Sequence, residues 1–218
     1  AKWVYYYLYV LLDVFSRYVT GWGVAESESA ALAEQLIKES CRRQQIQRDQ
    51  LTLHADRGAP MIAKTLAQLL IDLGVDKTHS RPHTPNDNPF SEAQFRTLKY
   101  RPEFPIRFGS LAHARDVSRE LFAWYNDAHH HSGLSYLTPA AVHYGRAATV
   151  LATRHRTRLA AYAAHPERFV QGPPRPETLP TAAWINRPPT STRGDAPGAT
   201  IVTPDDPQQG VIRRSPPL

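Results

Sequence analysis

Two carboxylates, Asp56 and Glu92, stand in the stretch from His54 to Lys99 with thirty-five residues between them. Asp56 closes a short apolar run, and Glu92 opens a helical pattern whose next turns carry Arg96 and Lys99. Carboxylates are hard oxygen ligands suited to Mg²⁺ or Mn²⁺. Two such ions, roughly 3.5–4 Å apart, can activate a water or 3′-hydroxyl and stabilise the leaving oxygen of a phosphodiester. A site of that kind uses three or more carboxylates, so Asp56 and Glu92 read as part of a set. Glu92, Arg96 and Lys99 follow i, i+4 and i+7 spacing and share one helix face. Cations placed there could hold backbone phosphates with salt-dependent, sequence-independent affinity. His54, two residues before Asp56, points to the same side of a strand and could orient a metal-bound water or a phosphate.

Plainer roles stand beside each of these. Asp56 could cap its turn or pair with Arg57, and Glu92 is favoured early in a helix by the dipole alone. Arg96 and Lys99 could be a solvated face. Three consecutive histidines, His129 to His131, cannot all face one ion, and no further Cys or His stands at ligand spacing, which argues against zinc. Cys41 lies on a core-facing helical stripe and reads as packing. Neither a glycine-rich phosphate loop nor a nucleophile elbow occurs.

The elements that must position these residues alternate. Residues 4–12 (VYYYLYVLL) and 18–25 (YVTGWGVA) form a predicted hairpin of β-branched and aromatic residues. Ser27 or Ser29 can cap the following helix, whose Ala33, Leu36, Ile37 and Cys41 repeat at core-facing spacing. A strand over 51–55, a helix over 61–73 ended by Gly74, and a strand over 75–79 suggest parallel βαβ packing. Residues 80–89 (SRPHTPNDNP) read as a loop, with Asn88 as N-cap and Pro89 as first helical residue. That helix should reach about Tyr100, with Phe95 and Leu98 packing inward. Further helices are expected over 110–127, 138–144 and 150–164.

The formal charge is +6, with 26 Lys and Arg against 20 Asp and Glu, which suggests an anionic partner. All of the excess falls between Ala93 and Ala160, where ten basic residues meet four acidic ones. A single cysteine rules out an internal disulfide framework and fits a reducing cytoplasm. No apolar run is long enough to predict a transmembrane helix, and no basic-then-apolar leader occurs. The expected organisation is a catalytic core over 1–146, a helical extension over 147–171, and a Pro-rich, largely disordered tail over 172–218, which holds eleven of the nineteen prolines.

The chain resembles the integrase-core (DDE) transposases of bacterial insertion sequences, of the second-reading-frame type. The resemblance rests on YLYVLLDVFSRYVTGW, LHADRGAPM, SRPHTPNDNPFSEAQFRTLKYRPEFP, WYNDAHHHSGLSYLTPAAVHYG and, later, HPERFVQGPPRPETLP with WINRP. It implies an α/β, ribonuclease-H-like fold, a mixed sheet flanked by helices, and Mg²⁺-dependent (or Mn²⁺-dependent) cleavage and transfer of element ends. It makes Asp56 and Glu92 the family's second and third metal-binding acids, and His54, Asn88, Arg96 and Lys99 DNA contacts. Asp13 matches the family's second-strand aspartate and not its first ligand. That first acid belongs to a central strand upstream of Ala1, so the chain is expected to lack that strand, to be inactive alone and to be poorly stable. The implied partners are the DNA ends and target of an insertion element, with homo-oligomers in the full-length protein, in the bacterial cytoplasm at the nucleoid. Alternatives are a non-catalytic DNA-binding or dimerising remnant, and a ribonuclease-H-like nuclease.

Overall fold

The computed structural model describes residues 5–55, 59–79 and 89–185. Asp56 and Asn88 therefore lie outside the described residues, as does most of the loop assigned to 80–89. Among the described residues, strands and helices alternate as expected of a mixed α/β chain. The strands β1 (Tyr7–Leu12) and β2 (Val19–Ala25) form the antiparallel hairpin, with Tyr7 opposite Ala25 and Val10 opposite Trp22. Helix α1 (Ala30–Arg43) follows, then β3 (Thr52–Ala55), α2 (Ala59–Ile62), α3 (Lys64–Leu73) and β4 (Asp76–His79). The β3 and β4 strands pair in parallel, His54 standing beside Thr78. The remaining elements are α4 (Pro89–Lys99), α5 (Leu111–Asp127), α6 (Pro139–His143) and α7 (Ala147–Ala164).

The strands are apolar on both faces because helices cover both. Leu8, Val10 and Leu12 of β1 pack with Leu98 of α4 and with Leu121, Phe122 and Tyr125 of α5. Leu11 faces the other way, into a cluster of Ile37 and Cys41 from α1 and Leu66 and Leu70 from α3. This confirms Cys41 as a packing residue, buried and free. Helix α1 approaches β2 so closely that a Cβ at Gly21 would stand 2.2 Å from Ser40 Oγ. Gly74 ends α3 in the left-handed region (φ 64°), as its position after the last apolar residue predicts.

The four strands do not form one sheet. Among the described residues they make two separate two-stranded sheets, β1–β2 and β3–β4. The facing edges of β1 and β3 bound a cavity of about 110 Å³. Val10 to Val14 line one side and Leu51 to His54 the other, with Ile37 and Cys41 of α1 and Phe90 and Ser91 of α4 above and below. An adjoining cavity sets Tyr7 to Leu11 against Leu53 to Ala55, so β1 and β3 run in opposite directions.

Several local expectations need correction. The helix expected over 61–73 is broken at Ala63, which is extended (φ −61°, ψ 139°). Lys77 Nζ donates to the Met61 carbonyl that the break exposes. Ser29 occupies the N-cap of α1, but its side chain makes no cap; its backbone N–H donates to Tyr9 Oη at 2.8 Å. Ser110 and Thr138 do cap, accepting from His113 N and Ala141 N. The Pro-rich tail starts as packed chain: Glu177 accepts from Arg154 at 2.8 Å and Arg158 at 2.6 Å. Ala183 is buried against Val14, and Ile185 packs against the same cluster. A carboxylate between two arginines of α7 and these apolar contacts hold residues that composition alone left unstructured.

On α4 the inward stripe is shifted. Leu98 is buried as expected, but Phe95 is 41 % exposed and Gln94 is 2 % exposed. Phe95 instead lines the open cavity beside β1 and β3. Neither polar atom of the Gln94 side chain has a hydrogen-bond partner. A buried amide without partners forfeits its hydration. Gln94→Leu, which keeps the shape and removes the polar atoms, should stabilise the fold by about 1–3 kcal/mol. The check is a higher urea midpoint with an unchanged m-value.

Candidate active site and nucleic-acid face

The strand β3 delivers its C-terminal end to the first turns of α4. His54 and Ala55 share a cavity with Ser91 and Phe95. Asp56 follows Ala55 directly in the chain, and Glu92 follows Ser91. The two helical turns after Glu92 place Arg96 and Lys99 on exposed positions, as Glu92 is itself. Among the described residues, no hydrogen bond or ion pair occupies these three charged groups, although Glu92 and Arg96 have the spacing to pair. Their charge is uncommitted. Arg101, by contrast, is engaged, 3.9 Å over the Trp124 ring and 2.7 Å from Glu103. His54 is also engaged, its Nδ1 lying 2.9 Å from Thr78 Oγ1. That bond anchors the imidazole at the β3 exit.

Asp13 is committed elsewhere. It is 4 % exposed, and its carboxylate receives Phe15 N at 2.9 Å, the Ser16 hydroxyl, and His143 Nδ1 at 3.0 Å. His143 Nε2 lies 3.0 Å from Gln44 Oε1, and the ring stacks on Tyr18, ring centroids 4.3 Å apart. The D-x-x-S spacing of Asp13 and Ser16 is a readable Asx-type turn signal. The partnership with His143, 130 residues away, has no signal in the sequence. With three donors on it, Asp13 ties the hairpin to α6.

The three histidines take three separate tasks. His129 stacks on Tyr125 at 5.4 Å, His130 Nδ1 lies 2.8 Å from the Tyr136 carbonyl, and His131 Nδ1 accepts from Gly133 N at 3.1 Å. Burial lowers the His129 pKa. Burial first, and then the nearby Arg17 charge, lowers His131 to about 4, so its ring is neutral at physiological pH. Among the described residues, no group of three His, Cys, Asp or Glu could hold a metal. Glu92 offers the hard-oxygen chemistry that Mg²⁺ or Mn²⁺ requires, but as a single described donor.

Residues 1–85 match an integrase core domain profile, and residues 73–139 match a second profile with the same description. Together the two matches span residues 1–139, and over them the chain is similar to integrase cores. It is similar to the transposase for insertion sequence element IS904 of Lactococcus lactis subsp. lactis (strain IL1403), at 29% identity over 134 residues. That match covers 61% of this chain and 53% of the relative, so the chain spans about half the length of the curated relative. Among solved structures, the catalytic core domain of BIV integrase is 24% identical, with a TM-score of 0.45, covering 62% of this chain and 83% of that one. A chain of the simian T-cell lymphotropic virus intasome in complex with PP2A regulatory subunit B56 gamma is 14% identical, with a TM-score of 0.42, covering 56% and 43%. No helix among the described residues is long and apolar enough to cross a membrane.

Proposed function

We propose that the chain is the greater part of an insertion-sequence transposase core, which cuts and joins DNA ends with a divalent metal ion in the bacterial cytoplasm. The observation that carries this reading is the shared cavity of the β3 exit and the first turns of α4, in a chain that matches integrase cores. It sets the strand that leads into Asp56 in the sequence beside the helix bearing Glu92, with Arg96 and Lys99 uncommitted on the same face. Asp56 and Glu92 would hold Mg²⁺ or Mn²⁺, which supplies the charge to activate a hydroxyl and stabilise the leaving oxygen. Arg96 and Lys99 would hold the strand's phosphates, and His54 and Asn88 would adjoin the reacting backbone. The ribonuclease-H-like description follows from this similarity, and assembly into homo-oligomers is part of the same reading.

We do not assign the third carboxylate to Asp13, whose oxygens already take the Phe15 N–H, the Ser16 hydroxyl and His143 Nδ1. The cavity between the edges of β1 and β3, which pair with no other strand among the described residues, supports a different source: a central strand from outside this chain. That strand would join the two sheets and bring the missing acid between Asp56 and Glu92. The isolated chain is then inactive.

In a longer protein containing this core, Asp56→Asn and Glu92→Gln should each remove several kcal/mol of transition-state stabilisation, about a thousandfold or more in rate. DNA affinity should hold or rise as carboxylate charge is lost. Assays of metal-dependent cleavage and of DNA binding check this. A DNA-binding remnant would have no cleavage to lose. Robust nicking of element-end DNA by residues 1–218 alone would overturn the incompleteness of the site.

A further inference from the structure

Beyond the metal site, α4 forms one wall of a groove of about 590 Å³, lined by Ala93, Arg96, Thr97 and Tyr100. The opposite wall is His129 to Ser132. The volume lies within the roughly 300–1,000 Å³ typical of ligand sites. Tyr100 directly follows the last residue of α4 and is 74% exposed, one turn beyond the uncommitted Arg96. The facing wall is rigid, because each of its imidazoles is fixed by a stacking or hydrogen-bonding partner. His131 is neutral there, so this wall offers ring surface and polar edges without a fixed charge at that position.

An uncommitted cation one turn from an open aromatic ring is the pairing that proteins use for unpaired nucleic-acid strands, phosphate on the cation and base on the ring. Distance along the helix fixes where that base lies relative to the chemistry. Glu92 and Tyr100 are eight residues apart, roughly 12 Å along the axis at 1.5 Å per residue. At about 3.4 Å per nucleotide step or somewhat more for an extended strand, that spans two to four nucleotides. A backbone laid over Arg96 and Lys99 from Glu92 therefore brings a base close to Tyr100.

We infer that Tyr100 and the His129–Ser132 wall form a stacking site for an unpaired base at the frayed end of the DNA strand held by α4. This rests on the DNA reading above and adds to it a preference for single-stranded ends. The test compares a labelled blunt duplex with the same duplex carrying a short unpaired 3′ end, by fluorescence anisotropy over a range of salt concentrations. The protein should bind the frayed DNA more tightly. Tyr100→Ala should weaken that binding about tenfold or more, leave blunt-duplex binding within about twofold, and keep the salt slope. Tyr100→Trp should restore the frayed-end preference. Arg96→Ala should weaken both DNAs and reduce the salt slope by roughly one. Equal loss on both DNAs, no loss on either, or a changed salt slope for Tyr100→Ala would overturn the stacking site while leaving the DNA reading standing. Failure of the unaltered protein to bind either DNA would overturn that reading and the stacking site with it.

Discussion

Asn126→Leu costs the fold about 2–5 kcal/mol, because one side chain satisfies both backbone groups of a buried strand residue. Asn126 Oδ1 accepts from Val19 N at 2.9 Å, and Asn126 Nδ2 donates to Val19 O at 3.1 Å. Val19 is 4 % exposed, so water cannot replace either bond. The leucine is close in size but leaves an N–H and a C=O unsatisfied at about 1–3 kcal/mol each. Against a total stability of about 5–15 kcal/mol, that is a large fraction. Asn126→Asp separates the two bonds: it keeps the acceptor but sets a carboxylate against the Val19 carbonyl, and should be at least as damaging. Urea denaturation followed by far-UV circular dichroism measures both. A loss below about 1 kcal/mol in either variant would show that the amide bridge does not hold α5 to the hairpin.

The second large effect concerns Asp13. Asp13→Ala should destabilise by about 3–5 kcal/mol, since the Ser16 hydroxyl, the Phe15 N–H and the His143 N–H lose their shared acceptor inside the core. A second variant separates a structural role from a metal role. Asp13→Asn, which keeps the shape but turns a donor toward donors, should lower the denaturation midpoint while leaving Mn²⁺ binding, followed by calorimetry, unchanged. A variant that lost metal affinity at full stability would return Asp13 to the catalytic set.

The type and order of the elements could be read from residue patterns because those patterns report local burial. The alternation in YVTGWGVA, the stripe through Ala33, Ile37 and Cys41, Gly74 after the last apolar residue of α3, and Pro89 at the start of α4 each express a rule that acts within a few residues. The Glu92, Arg96 and Lys99 face could be read for the same reason. A 3.6-residue period fixes it without reference to any neighbour. Asp56 and Glu92 stood out by chemical type, and the family motifs around them added what type alone left open.

What neighbours decide was not readable. Which α4 side chain turns inward depends on what lies beneath it: Gln94 meets the core, while Phe95 meets the open space between β1 and β3. The spacing of His129 to His131 argued against a shared metal, but their actual partners, Tyr125, Tyr136 and Gly133, had no signal in the sequence. Asp13 is set apart from the metal acids by the family motif, but what engages it instead shows only in the fold, where the Ser16 and His143 donors come from a turn and a helix far apart in the chain. The sequence by itself determined the elements and their order and marked Asp56 and Glu92 as candidate acids, because these follow from local period and side-chain chemistry. Only the tertiary structure decided which carboxylates are engaged by the fold, because that depends on which donors are brought to each oxygen. Asp13 receives three donors, whereas Glu92 receives none among the described residues.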